Sequence, residues 1–290
     1  CSTDLFVIYG ILFVMTIGEW IDSEQKKLVA VDIPTARLDA LVLLCHVLQK
    51  DKSYILAYDD ALLKAEELNK LTNVLHRRLQ HEPIAYIIGK KEFYGRDFTV
   101  NPNVLIPRPE SENFIELLKK YPPQNNQSLV DIGTGSGILA ITAKKEFPTL
   151  NVYATDISTA AIAVARQNAQ LLQANIRFIQ SDLFLGVEGT FDYIFANLPY
   201  VPAGFITSKE ITKEPAVALF SGVDGLDCIR TGVDQLMAHC AKSAYVCLES
   251  LRSQHNNVVR LCAEQGLVHI ETIGLVQLYQ APPSRLKATS

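Results

Sequence analysis

No Cys-x-x-Cys pair occurs in this chain of 290 residues, and its six cysteines, at 1, 45, 228, 240, 247 and 262, have no matching histidine cluster. That excludes the usual zinc spacings, and no metal site is expected. Cys45, Cys240, Cys247 and Cys262 stand in apolar runs, where small buried thiols in a reducing cytoplasm fit better than a disulfide frame. A basic excess is missing too. The 27 Lys and Arg face 31 Asp and Glu, for a formal net charge of −4, so stable nucleic-acid binding is not expected. Nor does the apolar stretch from Leu5 to Ile17 reach the about 20 residues that a membrane helix needs. Tyr9 and Gly10 interrupt it, and Asp4 precedes it where a signal peptide carries positive charge. No membrane association is expected. Residues 1–14 are expected to be an extra segment, because Met15-Thr-Ile-Gly-Glu-Trp reads as an ordinary start to a soluble helix. Internal repeats and low-complexity tracts are absent.

What is present suffices for a packed core: 48% of residues are apolar and 20% charged. From 15 to 82 the pattern is helical, a small domain without a catalytic cluster. Leu38, Leu41, Val42, Leu44, Cys45 and Leu48 recur at spacings of three and four, after a start signal at Pro34 and Thr35. A second helical stretch runs from Ala61 to Gln80. Residues 83–107 mix β-formers with Gly, Pro and Asn, as in Tyr86-Ile-Ile-Gly and Glu92-Phe-Tyr-Gly, and predict a β-hairpin linker. Arg108 and Glu110 stand just beyond it and could position a substrate loop, bridge domains or form an ion pair.

From 108 to 290 strands and helices alternate. Strands are predicted at 128–132, 151–155, 176–180, 191–196, 243–249, 267–273 and 275–280, with helices at 137–147, 159–172, 225–241 and 252–265. The fold class is therefore α/β, a mostly parallel sheet with helices on both faces. Ligands in such sheets sit beyond the carboxyl ends of the strands.

Three such ends carry chemistry. Val130-Asp-Ile-Gly-Thr-Gly-Ser-Gly leaves the first of these strands and opens a helix. Gly133, Gly135 and Gly137 let backbone approach a ligand without a Cβ in the way. No Lys-Ser or Lys-Thr follows, so this is not a phosphate-cradling loop. Asp156 ends the next strand and could accept hydrogen bonds from ribose hydroxyls, or cap the helix near Ser158. Asp182, ending the third, could accept from an adenine amino group with Leu183 against the ring, or simply hold a turn.

The fourth strand ends in Asn197-Leu198-Pro199-Tyr200. A carboxamide nitrogen is a poor nucleophile, because its lone pair is delocalised into the carbonyl. An Asn side-chain oxygen beside a backbone carbonyl could accept both of its N–H groups and aim the nitrogen at an electrophilic carbon. Orientation of this kind can lower a barrier by several kcal/mol. Pro199 would stiffen the turn, and Tyr200 would pack on the flat acceptor. The alternative is a plain proline turn with an interface tyrosine.

From Ile33 to Val276 the chain resembles the glutamine methyltransferases that modify peptide chain release factors. Thr35-Ala-Arg-Leu-Asp-Ala-Leu, Glu82-Pro-Ile-Ala-Tyr-Ile-Ile-Gly, Val104-Leu-Ile-Pro-Arg-Pro-Glu-Ser-Glu, Glu214-Pro-Ala-Val-Ala-Leu and Gly222-Val-Asp-Gly-Leu-Asp carry the likeness. It implies a Rossmann-like methyltransferase domain at 108–290 behind a helical substrate-recognition domain at 15–82. It implies S-adenosylmethionine as donor and the Gln of a release factor's Gly-Gly-Gln tripeptide as acceptor. Donor contacts are implied at Gly133, Thr134, Gly135, Ser136, Gly137, Asp156, Asp182, Leu183 and Asn197, with amide binding and catalysis at Asn197, Leu198, Pro199 and Tyr200. Three positions depart from the family pattern. Leu198 stands where a proline is usual and predicts a less rigid turn. Leu183 replaces an aromatic, and Glu249-Ser-Leu-Arg replaces a Glu-Ile-Gly run. Two other readings remain at this point: a methyltransferase acting on a ribosomal-protein Gln or a nucleic-acid adenine, and an inactive cofactor-binding regulator.

Overall fold

The computed structural model describes residues 15–205 and 208–283; the expected extra segment at 1–14 lies outside the described residues. Two compact units divide the chain between Ile88 and Gly89. Among the described residues no helix is long and apolar enough to cross a membrane.

The first unit is helical. α1 (Ile17–Ala30) starts with a reciprocal cap: Glu19 N donates to Thr16 Oγ1 at 3.2 Å, and Thr16 N donates to the Glu19 carboxylate at 2.8 Å. α2 (Ala36–Leu48) buries Ala36, Ala40, Leu43 and Leu44. This differs from the face read from sequence, since Leu38 is 50% exposed. The reason is Asp39, which turns inward to take Arg78 Nε at 2.6 Å in a fully buried ion pair. With Asp39 on the inner face, Leu38 is carried outward. α3 (Lys52–Ala57) and α4 (Ala65–Leu79) complete the bundle, with Leu71 and Leu75 buried. Residues 84–88, expected to belong to the hairpin, form a short helix, α5 (Ile84–Ile88). Pro83 suits a helix start; its carbonyl accepts from Tyr86 N and Ile87 N at 3.0 and 3.2 Å.

The hairpin of the second unit is confined to β1 (Lys90–Phe93) and β2 (Arg96–Thr99). Tyr94 and Gly95 both take positive φ, 51° and 72°, the geometry of a two-residue turn matched to strand twist. Asn168 exchanges hydrogen bonds with Thr99 at 2.7 and 3.0 Å, which ties the hairpin into this unit. There follow α6 (Asn113–Lys120), β3 (Ser128–Ile132), α7 (Ile138–Glu146), β4 (Asn151–Asp156), α8 (Thr159–Leu171), β5 (Arg177–Gln180) and β6 (Phe191–Ala196). The series ends with α9 (Asp227–Leu236), β7 (Cys240–Glu249), α10 (His255–Glu264), β8 (Val268–Ile273) and β9 (Val276–Gln280).

Seven strands form one sheet in the order β5-β4-β3-β6-β7-β9-β8. The first five run parallel, and β9 runs antiparallel to both neighbours. One face packs on α6, α7 and α8, the other on α9 and α10. Both faces are covered, so β3 is buried throughout its centre, as parallel strands require. The chain winds outward from β3 through β4 to β5, then restarts at β6 on the other side of β3. That reversal makes the carboxyl ends of β3 and β6 the natural ligand crevice.

Candidate functional site

At that crevice lies a cavity of about 360 Å³, a size usual for small-molecule sites. Gly133, Thr134, Gly135, Ser136, Asp156, Asp182, Leu183, Asn197, Leu198 and Pro199 all reach its wall; Gly137 and Tyr200 do not. A Cβ on Gly135 would meet no protein atom within 4 Å, so the turn leaves open space beside its backbone. Gly137 is needed for packing: a Cβ there would sit 3.1 Å from the Cβ of Ala165, where α7 and α8 approach.

Asp156 joins the glycine turn to β4. Its Oδ2 accepts from Gly135 N and its Oδ1 from Ser158 N, both at 2.9 Å. The helix cap is Ser158, whose Oγ accepts from Ala161 N at 3.2 Å. Each carboxylate oxygen of Asp156 keeps acceptor capacity for a ligand hydroxyl. Burial raises its pKa against the pull of those backbone bonds. Asp182 is exposed at the cavity rim, and Leu183 is half-buried in a left-handed turn at φ 51°. Ser181 Oγ bonds the Leu183 carbonyl at 3.0 Å.

The sequence reading gave Asp131 no role. It lines the cavity at the end of β3 and is 1% exposed. Its Oδ2 accepts from Thr134 Oγ1 at 2.6 Å and from Ala140 N at 3.2 Å, whereas its Oδ1 is buried without a partner. Burial pushes this carboxyl up to about 7, opposed by the two donors and assisted by the nearby negative Asp156. A buried carboxylate oxygen without a partner, on a residue that lines a cavity, suits a cationic ligand group. The one signal available in sequence was an acidic residue inside a strand buried on both faces.

On the β6 side, Asn197 Nδ2 donates to Ser111 Oγ at 2.9 Å, and Ser111 Oγ donates to Glu249 Oε2 at 2.8 Å. Tyr200 does not face the cavity: its hydroxyl donates to Glu249 Oε1 at 2.9 Å, and its carbonyl accepts from Gln254 Nε2 at 2.8 Å. Glu249 is 1% exposed, and burial raises its pKa against the hydrogen bonds from Ser111, Tyr200 and Asn197. Leu198 fills the space between the glycine turn and α9. A Cβ on Gly133 would lie 3.3 Å from its Cδ2, and one on Gly232 3.1 Å from its Cδ1. The turn is held by a side chain packed on both sides.

Segment 102–108 and Pro215, Val217 and Ala218 also line the cavity. Arg108 pairs there with Glu214, not with Glu110, which is exposed. Arg108 Nη2 and Ile106 N donate to the two Glu214 oxygens at 2.6 and 3.0 Å. Cys228 also reaches the cavity, its thiol pushed up to about 11 by burial and by the Asp182 charge.

Residues 19–89 match the family described as the PrmC N-terminal domain, and residues 111–217 the methyltransferase small domain. A release factor glutamine methyltransferase of Koribacter versatilis is 40% identical over 241 residues, 81% of this chain and 86% of the relative. One of Neisseria gonorrhoeae is 36% identical over 264 residues, 89% of this chain and 93% of the relative. Among solved structures, a methyltransferase from Pyrococcus furiosus superposes with a TM-score of 0.51 at 22% identity, over 73% of this chain and 99% of that one, a likeness of fold.

Proposed function

The chain belongs to the release factor glutamine methyltransferase family, and we propose that it transfers a methyl group from S-adenosylmethionine to the side-chain amide nitrogen of the Gln in a release factor's Gly-Gly-Gln motif. The observation that carries this reading is that Asn197 and Leu198 line the same cavity as Gly135, Asp131 and Asp156.

The residues fit the donor. The unpartnered Asp131 Oδ1 suits its ammonium, the spare acceptor capacity of Asp156 suits ribose hydroxyls, and the open backbone at Gly135 admits a close ligand. When bound, the donor supplies an electrophilic methyl on a sulfonium. This chain's part is orientation. Asn197 Oδ1 and the Leu198 carbonyl accept the two in-plane N–H groups of the acceptor, so its out-of-plane electrons face the methyl. The same two oxygens favour the positive charge that develops on nitrogen as the carbon–nitrogen bond forms and the methyl–sulfur bond breaks to leave a neutral thioether, before one proton is lost to solvent. The test is transfer of labelled methyl from the donor to purified release factor, with a Gln-to-Ala release factor as control. Label on the control, or none on either, overturns the proposal.

A further inference from the structure

An Asn side chain can present either end of its amide, and only the oxygen end serves an N–H acceptor site. The direction of the hydrogen-bond chain behind Asn197 decides between them. Glu249 closes that chain at the end of β7. Ser111 and Tyr200 both donate to its carboxylate. Ser111 has one hydroxyl hydrogen and spends it on Glu249. Toward Asn197 its oxygen can only accept, and only the Nδ2 end of Asn197 can donate to it. The amide is thereby turned with Oδ1 away from Ser111. Ser111 and Asn197 both line the cavity, while Glu249 lies behind them out of contact with it.

We propose that Ser111 and Glu249, steadied by Tyr200, are positioning residues that fix the Asn197 carboxamide with its oxygen toward the acceptor nitrogen. This rests on the function proposed above and deepens it. The three groups come from the 3-10 turn before α6, from β7 and from the loop after β6. Each is held by its own element, so the relay stands before any ligand arrives. It also gives Tyr200 a task other than stacking on the acceptor.

The test uses the full chain and four variants: Ser111→Ala, Ser111→Thr, Glu249→Gln and Tyr200→Phe. Ser111→Ala removes one of the two acceptors for Nδ2, leaving only the Glu249 carboxylate, and loosens the hold on the amide. Its turnover number should fall about a hundredfold, the scale seen when one preorganised polar group is lost from an active site. Its donor dissociation constant, read by calorimetry, should stay within threefold. Ser111→Thr keeps the hydroxyl and should restore turnover to within about fivefold of the parent. Glu249→Gln preserves volume but can donate as well as accept, and should lose turnover by about tenfold to a hundredfold. Tyr200→Phe should cost least. A purely structural role would instead lower thermal stability and donor affinity together. In a sample labelled with ¹⁵N-asparagine, the Asn197 side-chain NH2 signals should shift in Ser111→Ala and Glu249→Gln and hold in Ser111→Thr. Unshifted signals in Ser111→Ala overturn the relay, as does full turnover in that variant. A parent enzyme that methylates no release factor overturns the proposed function instead, and the NMR experiment still decides how the amide is turned.

Discussion

Asp131 and Glu249 are both carboxyls buried to 1% exposure at the carboxyl ends of parallel strands, β3 and β7. They differ in what surrounds them. Both oxygens of Glu249 have donors, from Ser111 and Tyr200; Asp131 has donors on one oxygen and none on the other. A buried charge is tolerated when its partners are in place and is costly when they are not. Glu249 is thus complete as the protein stands, and its use is to orient neighbours. Asp131 is incomplete, and a ligand that brings a cation completes it. The two sides of the cavity divide the labour in the same way, with one side waiting for the donor and the other already set for the acceptor.

The largest expected effect falls on the side already set. Asn197→Ala deletes the oxygen that the relay positions, and transfer should drop by about a thousandfold or more. Donor affinity should stay within about threefold by calorimetry if the two sides are as independent as their hydrogen bonds suggest. A parallel loss of donor binding would erase the distinction.

Next in size is Asp131. Its carboxyl must be ionised to pair with a cation, and burial holds it at about 7 before the ligand binds. Donor affinity should therefore fall toward tenfold per pH unit as pH drops below about 7, and level off above it. Asp131→Asn should weaken binding and flatten that dependence. Asp156 and Asp182 also line the cavity; Asp156→Asn serves as the control, and it should keep the slope but move it to lower pH, because the Asp156 charge helps raise the Asp131 carboxyl. In the ligand-free protein the sign reverses. A carboxyl whose folded pKa is raised contributes stability at low pH and loses it as pH rises through the folded value. Asp131→Asn should then stabilise the free protein above pH 7, by up to on the order of 3 kcal/mol. Thermal melts at pH 5 and pH 8 read this directly. A destabilised variant would mean that the aspartate is complete after all.

A smaller effect is expected at the Arg108–Glu214 pair. Arg108→Met leaves the buried Glu214 carboxylate with only the Ile106 amide. The Arg108 end of the pair is about a third exposed and partly screened by solvent, so donor affinity should weaken by about threefold to tenfold.

How legible this was depends on whether partners lie close in sequence. The alternation of strands and helices from Ser128 to Gln280 could be read from sequence, because covered parallel strands and their helices have distinct apolar periods; the helix expected at 225–241 ends at Leu236, and β7 begins at Cys240 rather than 243. Gly133, Gly135 and Asp156 fall at the strand ends where the spacing put them and line one cavity, since they belong to consecutive units of one winding, whereas Gly137 serves packing. The other supports lie far along the chain: Ser111 is 86 residues from Asn197, Glu249 is 138 from Ser111, and Glu214 is 106 from Arg108. No spacing rule links such positions. In the helical unit Leu38 was misread for the same reason: the burial of Asp39 by Arg78, 39 residues later, sets which face turns inward. The segment 84–88 misled in a different way, because Ile and Tyr favour strands while Pro83 favours a helix start, and the proline prevailed.

Leu198 offers the finest test. Its two methyls press on Gly133 and on Gly232 in the middle of α9. Leu198→Pro stiffens the unfolded and folded turn alike, a gain of about 0.4–1 kcal/mol where the backbone allows it. It also empties part of a packed site, which costs more, about 1–3 kcal/mol. The single variant should therefore melt lower while turnover stays within about threefold. Gly232→Ala alone places a Cβ 3.1 Å from Leu198 Cδ1, so crowding should cancel the helix propensity gain of about 1 kcal/mol. Combined, the two changes relieve one another: the proline clears the space, the alanine fills it, and the helix keeps its gain. The double variant should be more stable than the sum of the singles predicts, by about 1 kcal/mol in a denaturation cycle. Additive stabilities would mean that Leu198 does not wedge the turn, and that residue 198 contributes its carbonyl alone.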